Sequence, residues 1–259
     1  MLVDSPRLTA ADRATWERLE HYDDVLSQSP RMDALAGQSR RAVAEFAAAG
    51  DFYVSTSWGK DSVCAAHIAL QVVPDARLVW VRSKHFEMPE CDQVRDAFLA
   101  AHPDARYEEI EVEMRNPKRG EPGFAERHLD PDADHQDVLK ESLTGRYISG
   151  VRAEESRVRR MSIGHRGLAT VHTCRPIGRW DATDVFAFLY REGLPVHPAY
   201  AMSVGGAYDR RWIRVHPLCS APPARSAVHG GDSTHWEDTY FADVIAAAMA
   251  ARAHLWTTP

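Results

Sequence analysis

Hydrophobic positions along this chain fall into blocks with two different periods. Over Thr9 to Ser27, Trp16, Leu19 and Leu26 lie on a broad apolar helical stripe, with Thr9 or Asp12 available as the cap. A second helical block, about 32–49, stops at Gly50, a natural closing residue. The period then changes. "DFYVSTS" (51–57) predicts a strand, and an amphipathic helix follows at once from about Lys60 to Val73, closed by Pro74. "ARLVWV" (76–81) is continuously apolar, as a strand covered on both faces would be. Residues 90–101 predict a helix and 106–114 an alternating strand. The stretch 115–136, rich in Pro, Gly and charge, predicts a loop long enough to suggest function. Further strands are expected within 145–156 and 170–174, and a helix over 180–193 with Asp181 or Thr183 at its cap and Gly193 at its end. Residues 194–235 predict an irregular segment, and 236–256 a single terminal helix.

Strands alternating with helices imply an α/β fold: a mostly parallel sheet with helices on both faces, a helical N-terminal extension, and an irregular C-terminal segment ending in a helix. The expected boundaries are 1–50 for the extension, 51–200 for the α/β unit, and 201–259 for a segment packed on that same unit. In such sheets ligands sit beyond the carboxyl ends of the strands. The polar turns after "YVSTS", "LVWV" and "YISG" all lie there.

Composition narrows the picture only a little. With 259 residues, 44% hydrophobic and 26% charged, the chain is that of an ordinary globular protein. A net charge of −6 argues against bulk nucleic-acid affinity but leaves room for a local basic groove. Such a groove has a candidate. Between Gly145 and Trp180 stand Arg146, Arg152, Arg157, Arg159, Arg160, Arg166, Arg175 and Arg179 against only Glu154 and Glu155, and Arg210, Arg211 and Arg214 extend the run. Arginine forks suit phosphate or sulfate; the plainer alternative is a solvated basic helix face. Cys64, Cys91, Cys174 and Cys219 are scattered without a Cys-x-x-Cys pair, which reads as reduced, buried thiols. No apolar run approaches the roughly 18 residues of a membrane span, and the N-terminal residues are charged from the start. A cytoplasmic protein with no membrane partner is expected.

The turn from Ser55 to Ser62 carries the chemistry. Its small residues let backbone amides approach an anion, and the following helix adds the positive end of its dipole. Ser57 and Ser62 can donate hydroxyls, Lys60 brings a mobile charge, and Gly59 permits backbone angles that a side chain resists. A polar turn with a capping serine is the alternative.

Ser57-Trp58-Gly59-Lys60-Asp61-Ser62 resembles the Ser-Gly-Gly-Lys-Asp-Ser pyrophosphate loop (PP-loop) of the ATP pyrophosphatases, with Trp58 in place of the commoner Gly or Ala. "SGVRAEESRVRR" (149–160) and "RPIGRWDATDVFAFLYREGLPVHPAY" (175–200) resemble two segments of the phosphoadenosine phosphosulfate (PAPS) reductase family within that superfamily. The three stretches follow the family's order and cover roughly 50–200. The resemblance implies a Rossmann-like adenine nucleotide α-hydrolase fold and cleavage of ATP between its α and β phosphates, with Mg²⁺. It implies ATP binding through Ser55, Ser57, Trp58, Gly59, Lys60, Asp61, Ser62, Gly150, Arg152 and Arg160, catalytic roles for Lys60, Asp61, Arg152 and Arg157, and Asp61 as a direct or water-mediated metal ligand.

Two departures concern the acceptor. "RSKHFEMPE" (82–90) keeps Phe86, Pro89 and Glu90 of a family motif but replaces its Asp-Thr-Gly, and the reductases' Glu-Cys-Gly-x-His tail is missing from "ARAHLWTTP". Family members without that tail include enzymes that activate the DNA backbone for phosphorothioation, with sulfur from a cysteine desulfurase; DNA and such a desulfurase are the expected partners. Two alternatives stay open. One is a PAPS or adenylyl-sulfate reductase using Cys219 as nucleophile, its pKa lowered by His216 and nearby basic residues; the other is a nucleotide-sensing module without turnover.

Overall fold

A computed structural model of the chain describes residues 1–113, 116–124, 143, 145–219 and 233–256. Helices begin where capping chemistry puts them. Helix α1 (Ala10–Ser27) starts behind Thr9, whose hydroxyl accepts from the Asp12 amide while Asp12 accepts from the Thr9 amide, both at 3.1 Å. Thr9 is therefore the cap and Asp12 its reciprocal partner. Helix α2 (Pro30–Ala48) starts earlier than the periodicity predicts. Ser29 caps the Met32 amide, and Pro30 occupies a first-turn position where a missing N–H costs nothing.

Five strands follow: β1 (Phe52–Thr56), β2 (Arg77–Ser83), β3 (Arg106–Val112), β4 (Arg146–Ile148) and β5 (Thr173–Cys174). All pair in parallel in the order β3-β2-β1-β4-β5, a Rossmann-like α/β fold. The last two are much shorter than the stretches that predicted them. Helices α3 (Lys60–Val72) and α4 (Glu90–Ala101) make the crossovers from β1 to β2 and from β2 to β3. Val54, Leu78, Trp80 and Ile148 sit in the main core, while Tyr53, Val79, Val81, Val112 and Leu143 form a smaller apolar cluster. The alternation of the strands assigns the two sets to opposite faces.

Helix α5 (Arg157–Arg166) begins behind Ser156, whose Oγ accepts from the Arg159 amide at 3.1 Å. Periodicity gave it no signal, because Ile163 is its one buried residue. Helix α6 (Ala182–Arg191) is capped by Asp181, which accepts from the Asp184 amide at 2.9 Å. The terminal helix predicted over 236–256 is in fact two, α7 (Ser233–Tyr240) and α8 (Ala242–Arg252). Phe241 breaks the run: its backbone leaves the helical region so that its ring is fully buried, 5.4 Å from Trp236. Of the predicted loop 115–136, residues 116–124 are described and are held to α8 by Glu121, which takes Arg252 Nε at 2.7 Å and Nη2 at 3.0 Å. Residues 115 and 125–136 lie outside the described residues, as do 220–232 of the predicted irregular segment.

The N-terminal helices are fastened to the sheet unit by apolar and charged contacts. Trp16 meets Phe186 edge-on at 6.0 Å, and Arg31 grips Asp184 with two hydrogen bonds of 3.0 and 2.8 Å. Asp12 accepts from the Ser203 amide at 3.0 Å and the Tyr240 hydroxyl at 3.1 Å. Arg210 corrects an expectation. It adds nothing to a basic surface, because it is buried, forked onto Asp23 at 2.7 and 2.5 Å, and lies 4.1 Å from the Phe186 ring. Arg210→Ala strands the buried Asp23 carboxylate and is expected to cost about 3–5 kcal/mol. Urea unfolding measures this directly, and a loss below about 1 kcal/mol would show that the pair does not anchor α1.

Candidate functional site

The direction in which successive strands are added to the sheet reverses between β1 and β4. From β1 the sheet grows outward through β2 and β3, then the chain returns to add β4 on the other side. The crevice at the carboxyl ends of β1 and β4 is thus a topological switch point. A cavity of about 410 Å³ opens there. Its floor is the turn after β1: Ser55, Thr56, Ser57, Gly59, Lys60, Asp61 and Ser62. The turn after β4 supplies one wall with Ser149, Gly150, Val151 and Arg152, joined by Glu155 and Arg159. Tyr200 and residues 211–216 close the remaining side.

The floor is internally braced. Ser62 Oγ accepts from the Ser57 amide at 3.2 Å and donates to the Gly59 carbonyl at 2.9 Å, which fixes the loop against the first turn of α3. Trp58 holds a left-handed conformation (φ 58°), a backbone shape that a bulky residue takes only at a cost. The packing offsets that cost. The indole is fully buried against Trp80, Phe98 and Tyr107, with ring centroids 6.4, 5.6 and 5.7 Å away. Trp58 therefore belongs to the core beneath the loop and does not line the cavity, which corrects its expected place among the ligand-binding residues.

Charges across the floor form a chain. Lys60 Nζ lies 3.0 Å from Asp61 Oδ2 and 5.0 Å from the centroid of the Tyr200 ring. Asp61 Oδ1 accepts from Arg152 Nε at 2.6 Å, and Arg152 also pairs with Glu154, which in turn accepts from the Ala182 amide at 2.9 Å. Burial alone would lower the pKa of Arg152, but Asp61, Glu154 and Glu155 outweigh it and hold the guanidinium above its ordinary value. Arg152 therefore stays charged. The β4 turn presses directly on the floor: a Cβ on Gly150 would stand 2.6 Å from the Asp61 carbonyl carbon and 2.9 Å from the Ser62 nitrogen. No side chain fits at that position.

Five cationic side chains line the cavity (Lys60, Arg152, Arg159, Arg211 and Arg214) against the carboxylates of Asp61 and Glu155. The balance suits an anion with several charges. Ser55, Ser57, Gly59, Lys60, Asp61, Ser62, Gly150 and Arg152, all expected from the sequence, meet in this one place. Arg157 and Arg160 do not. Both sit on the exposed outer face of α5, and the cavity side of that helix carries Arg159 instead, paired with Glu155.

Cys219 lies outside the cavity lining and is fully buried. Burial, reinforced by the Glu237 carboxylate, pushes its thiol up to about 12, the reverse of the lowering expected from its basic neighbours. His216 lines the cavity instead, with its Nδ1 2.8 Å from the Pro217 carbonyl oxygen. Among the described residues no three His, Cys, Asp or Glu side chains stand where they could hold a metal ion.

The sequence named Arg159, Arg211 and Arg214 for a basic groove, and all three line the cavity, but it gave no place there to Tyr200, Glu155, Trp212, Ile213 or Val215. The "VHPAY" segment did contain Tyr200, but nothing in its spacing says that 140 positions from Lys60 it closes on the Lys60 amide at 3.0 Å. The wall has no period at all.

A parallel sheet with a phosphate-ready strand–turn–helix at its switch point defines a nucleotide-binding α/β protein. The chain belongs to the phosphoadenosine phosphosulfate reductase domain family, whose pattern matches residues 51–209. That places it in a nucleotide-binding, sulfur-related enzyme family of the adenine nucleotide α-hydrolase superfamily. Among solved structures, the U34-tRNA thiolase NcsA from Methanococcus maripaludis, determined with its 4Fe-4S cluster, is similar with a TM-score of 0.47 and 11% identity, covering 88% of this chain and 82% of that one. No curated protein matches the sequence. No described helix is long and apolar enough to cross a membrane.

Gly150→Ala is expected to force the β4 turn away from Asp61 and Ser62, lowering stability by about 1–3 kcal/mol and weakening anion binding together. Thermal unfolding and pyrophosphate titration on the same variant test this. A variant as stable and as tight as the parent would show that the two turns do not press on each other.

Proposed function

We propose that this chain is an ATP pyrophosphatase: it transfers the AMP of ATP to an acceptor oxygen, releasing pyrophosphate, and that oxygen later departs with AMP when sulfur takes its place on the acceptor. The observation that carries this reading is the Ser57–Ser62 turn, braced by Ser62 and opening into a cavity lined by five cations. The β and γ phosphates lie on the floor, where the Lys60 ammonium and the amides that follow Lys60 at the start of α3 meet them. Arg152 and Arg159 reach the triphosphate from the β4 side and neutralise charge gathering on the departing pyrophosphate. The attacking oxygen belongs to the acceptor, so the protein's contribution is position and charge rather than a nucleophile of its own.

Mg²⁺ fits this site only as a passenger on the phosphates. Both Asp61 oxygens are already in ion pairs, with Arg152 and with Lys60, so Asp61 would reach the ion through water. When bound, the ion supplies further neutralisation of the β and γ phosphates.

The acceptor we favour is the DNA backbone, as in phosphorothioation, with sulfur from a cysteine desulfurase. Arg157, Arg160 and Arg166 support this choice. All three are exposed on α5, the helix whose Arg159 lines the cavity, so a polyanion could run from that surface to the phosphates. The whole protein is then expected to work in the cytoplasm. The reductase reading through Cys219 has no such support, because a buried thiol held at about 12 is a poor nucleophile.

Pyrophosphate release from ATP, assayed with DNA and a sulfur-donor protein present, tests the proposal. Lys60→Ala and Ser62→Ala should each reduce release by roughly 100-fold or more, while Cys219→Ala leaves it unchanged. ATP binding without release under all these conditions would instead make the chain a nucleotide sensor.

A further inference from the structure

Tyr200 stands at the edge of the phosphate floor in an unusual position. Its ring is 3% exposed, yet it lines the cavity. Its hydroxyl oxygen accepts from the amide of Lys60, the first residue of α3, at 3.0 Å. That amide is one of the unpaired donors with which a helix start ordinarily binds an anion. Here it is taken by a phenol.

A tyrosine hydroxyl that accepts one hydrogen bond still has its own proton to donate. Among the described residues nothing receives that proton; the Lys60 amide is the hydroxyl's single hydrogen-bond partner. A buried donor without an acceptor is costly unless a ligand supplies one. The phenol also stays protonated, since burial, with the charge of Asp61 behind it, raises its pKa far above the ordinary value. Two contacts fix the ring in place: Lys60 Nζ lies over it at 5.0 Å, and Phe186 meets it edge-on at 5.5 Å. A Cβ on Gly59 would come to 3.0 Å from the hydroxyl. Gly59 thus leaves the room that the hydroxyl occupies.

We infer that Tyr200 is a phosphate-binding residue: its hydroxyl takes the hydrogen bond of the Lys60 amide and donates its own to a phosphate oxygen of the bound nucleotide. The phenol extends the first amide of α3 outward by one group. A hydroxyl that accepts from a helix-terminal amide is polarised and becomes the stronger donor. The same ring carries the Lys60 ammonium, so a single side chain positions both a neutral donor and a charge against the same phosphates. This rests on the nucleotide reading of the cavity and adds a ligand contact that the loop motif does not contain.

Calorimetric titration of the full chain with inorganic pyrophosphate, and separately with ATP, tests it. Tyr200→Phe keeps the ring under Lys60 and removes the hydroxyl, and should weaken pyrophosphate binding by roughly tenfold or more, the effect of losing one hydrogen bond to a charged acceptor. Because the change also leaves the Lys60 amide unpartnered, 4-aminophenylalanine at position 200 serves as the second variant. It restores a group that both accepts and donates, and affinity should return to within about threefold of the parent. Tyr200→Phe binding pyrophosphate as tightly as the parent would overturn the role of Tyr200 alone. So would a folded 4-aminophenylalanine variant that stays as weak as Tyr200→Phe. A parent chain that binds neither pyrophosphate nor ATP would overturn the nucleotide reading along with it.

Discussion

Asp61 is the hinge on which the cavity turns. One of its oxygens is held by Arg152 from the β4 turn and the other by Lys60 on its own helix. The carboxylate thereby joins two turns that are 91 residues apart in sequence. Arg152 is 2% exposed and Lys60 3% exposed, so both cations have left most of their water behind. Charges so placed are tolerated only when paired. Without Asp61 the two would repel across the floor, and the closeness of Gly150 to the Asp61 backbone would bring the walls together with nothing to bind them.

The same pairing sets what the site can bind. Asp61 engages its two neighbours, and Arg159, Arg211 and Arg214 stand along the rim, Arg159 paired with Glu155 and Arg211 with Asp209. An anion entering there meets the start of a helix, a lysine held over an aromatic ring and arginines on the facing wall. Such an arrangement stabilises charge that moves between phosphates during bond breaking, and it needs no nucleophile from the protein. The four cysteines fit that account. All are free and buried, and Cys64 and Cys91 are pushed well above the ordinary thiol range.

The parts of this site that the sequence made legible are those encoded by neighbours. Strand, turn and helix between residues 51 and 73 declare themselves by a change of period, and Ser57, Gly59, Lys60 and Ser62 by their types. Capping pairs such as Asp181 with Asp184 are equally local. What stayed hidden depends on distance in sequence. Trp58 looked like a pocket residue because it sits in the loop, whereas its left-handed backbone and the aromatic cluster beneath it turn the indole into the core. On α5 the register decides. Arg157, Arg159 and Arg160 are chemically alike, and only the winding of a mostly exposed helix brings Arg159 to the cavity. Cys219 misled for a different reason: basic residues beside it in sequence are outweighed by burial and by Glu237, which approaches from α7.

The central claim is that the phosphate floor directs cleavage to the bond between the α and β phosphates. Phosphorus NMR of ATP incubated with the protein, acceptor DNA and sulfur donor observes that bond directly. The account predicts paired growth of AMP or adenylate and pyrophosphate signals as the β-phosphate resonance of ATP falls. Growth of ADP and inorganic phosphate would mean that the γ phosphate is the one removed, and would contradict it.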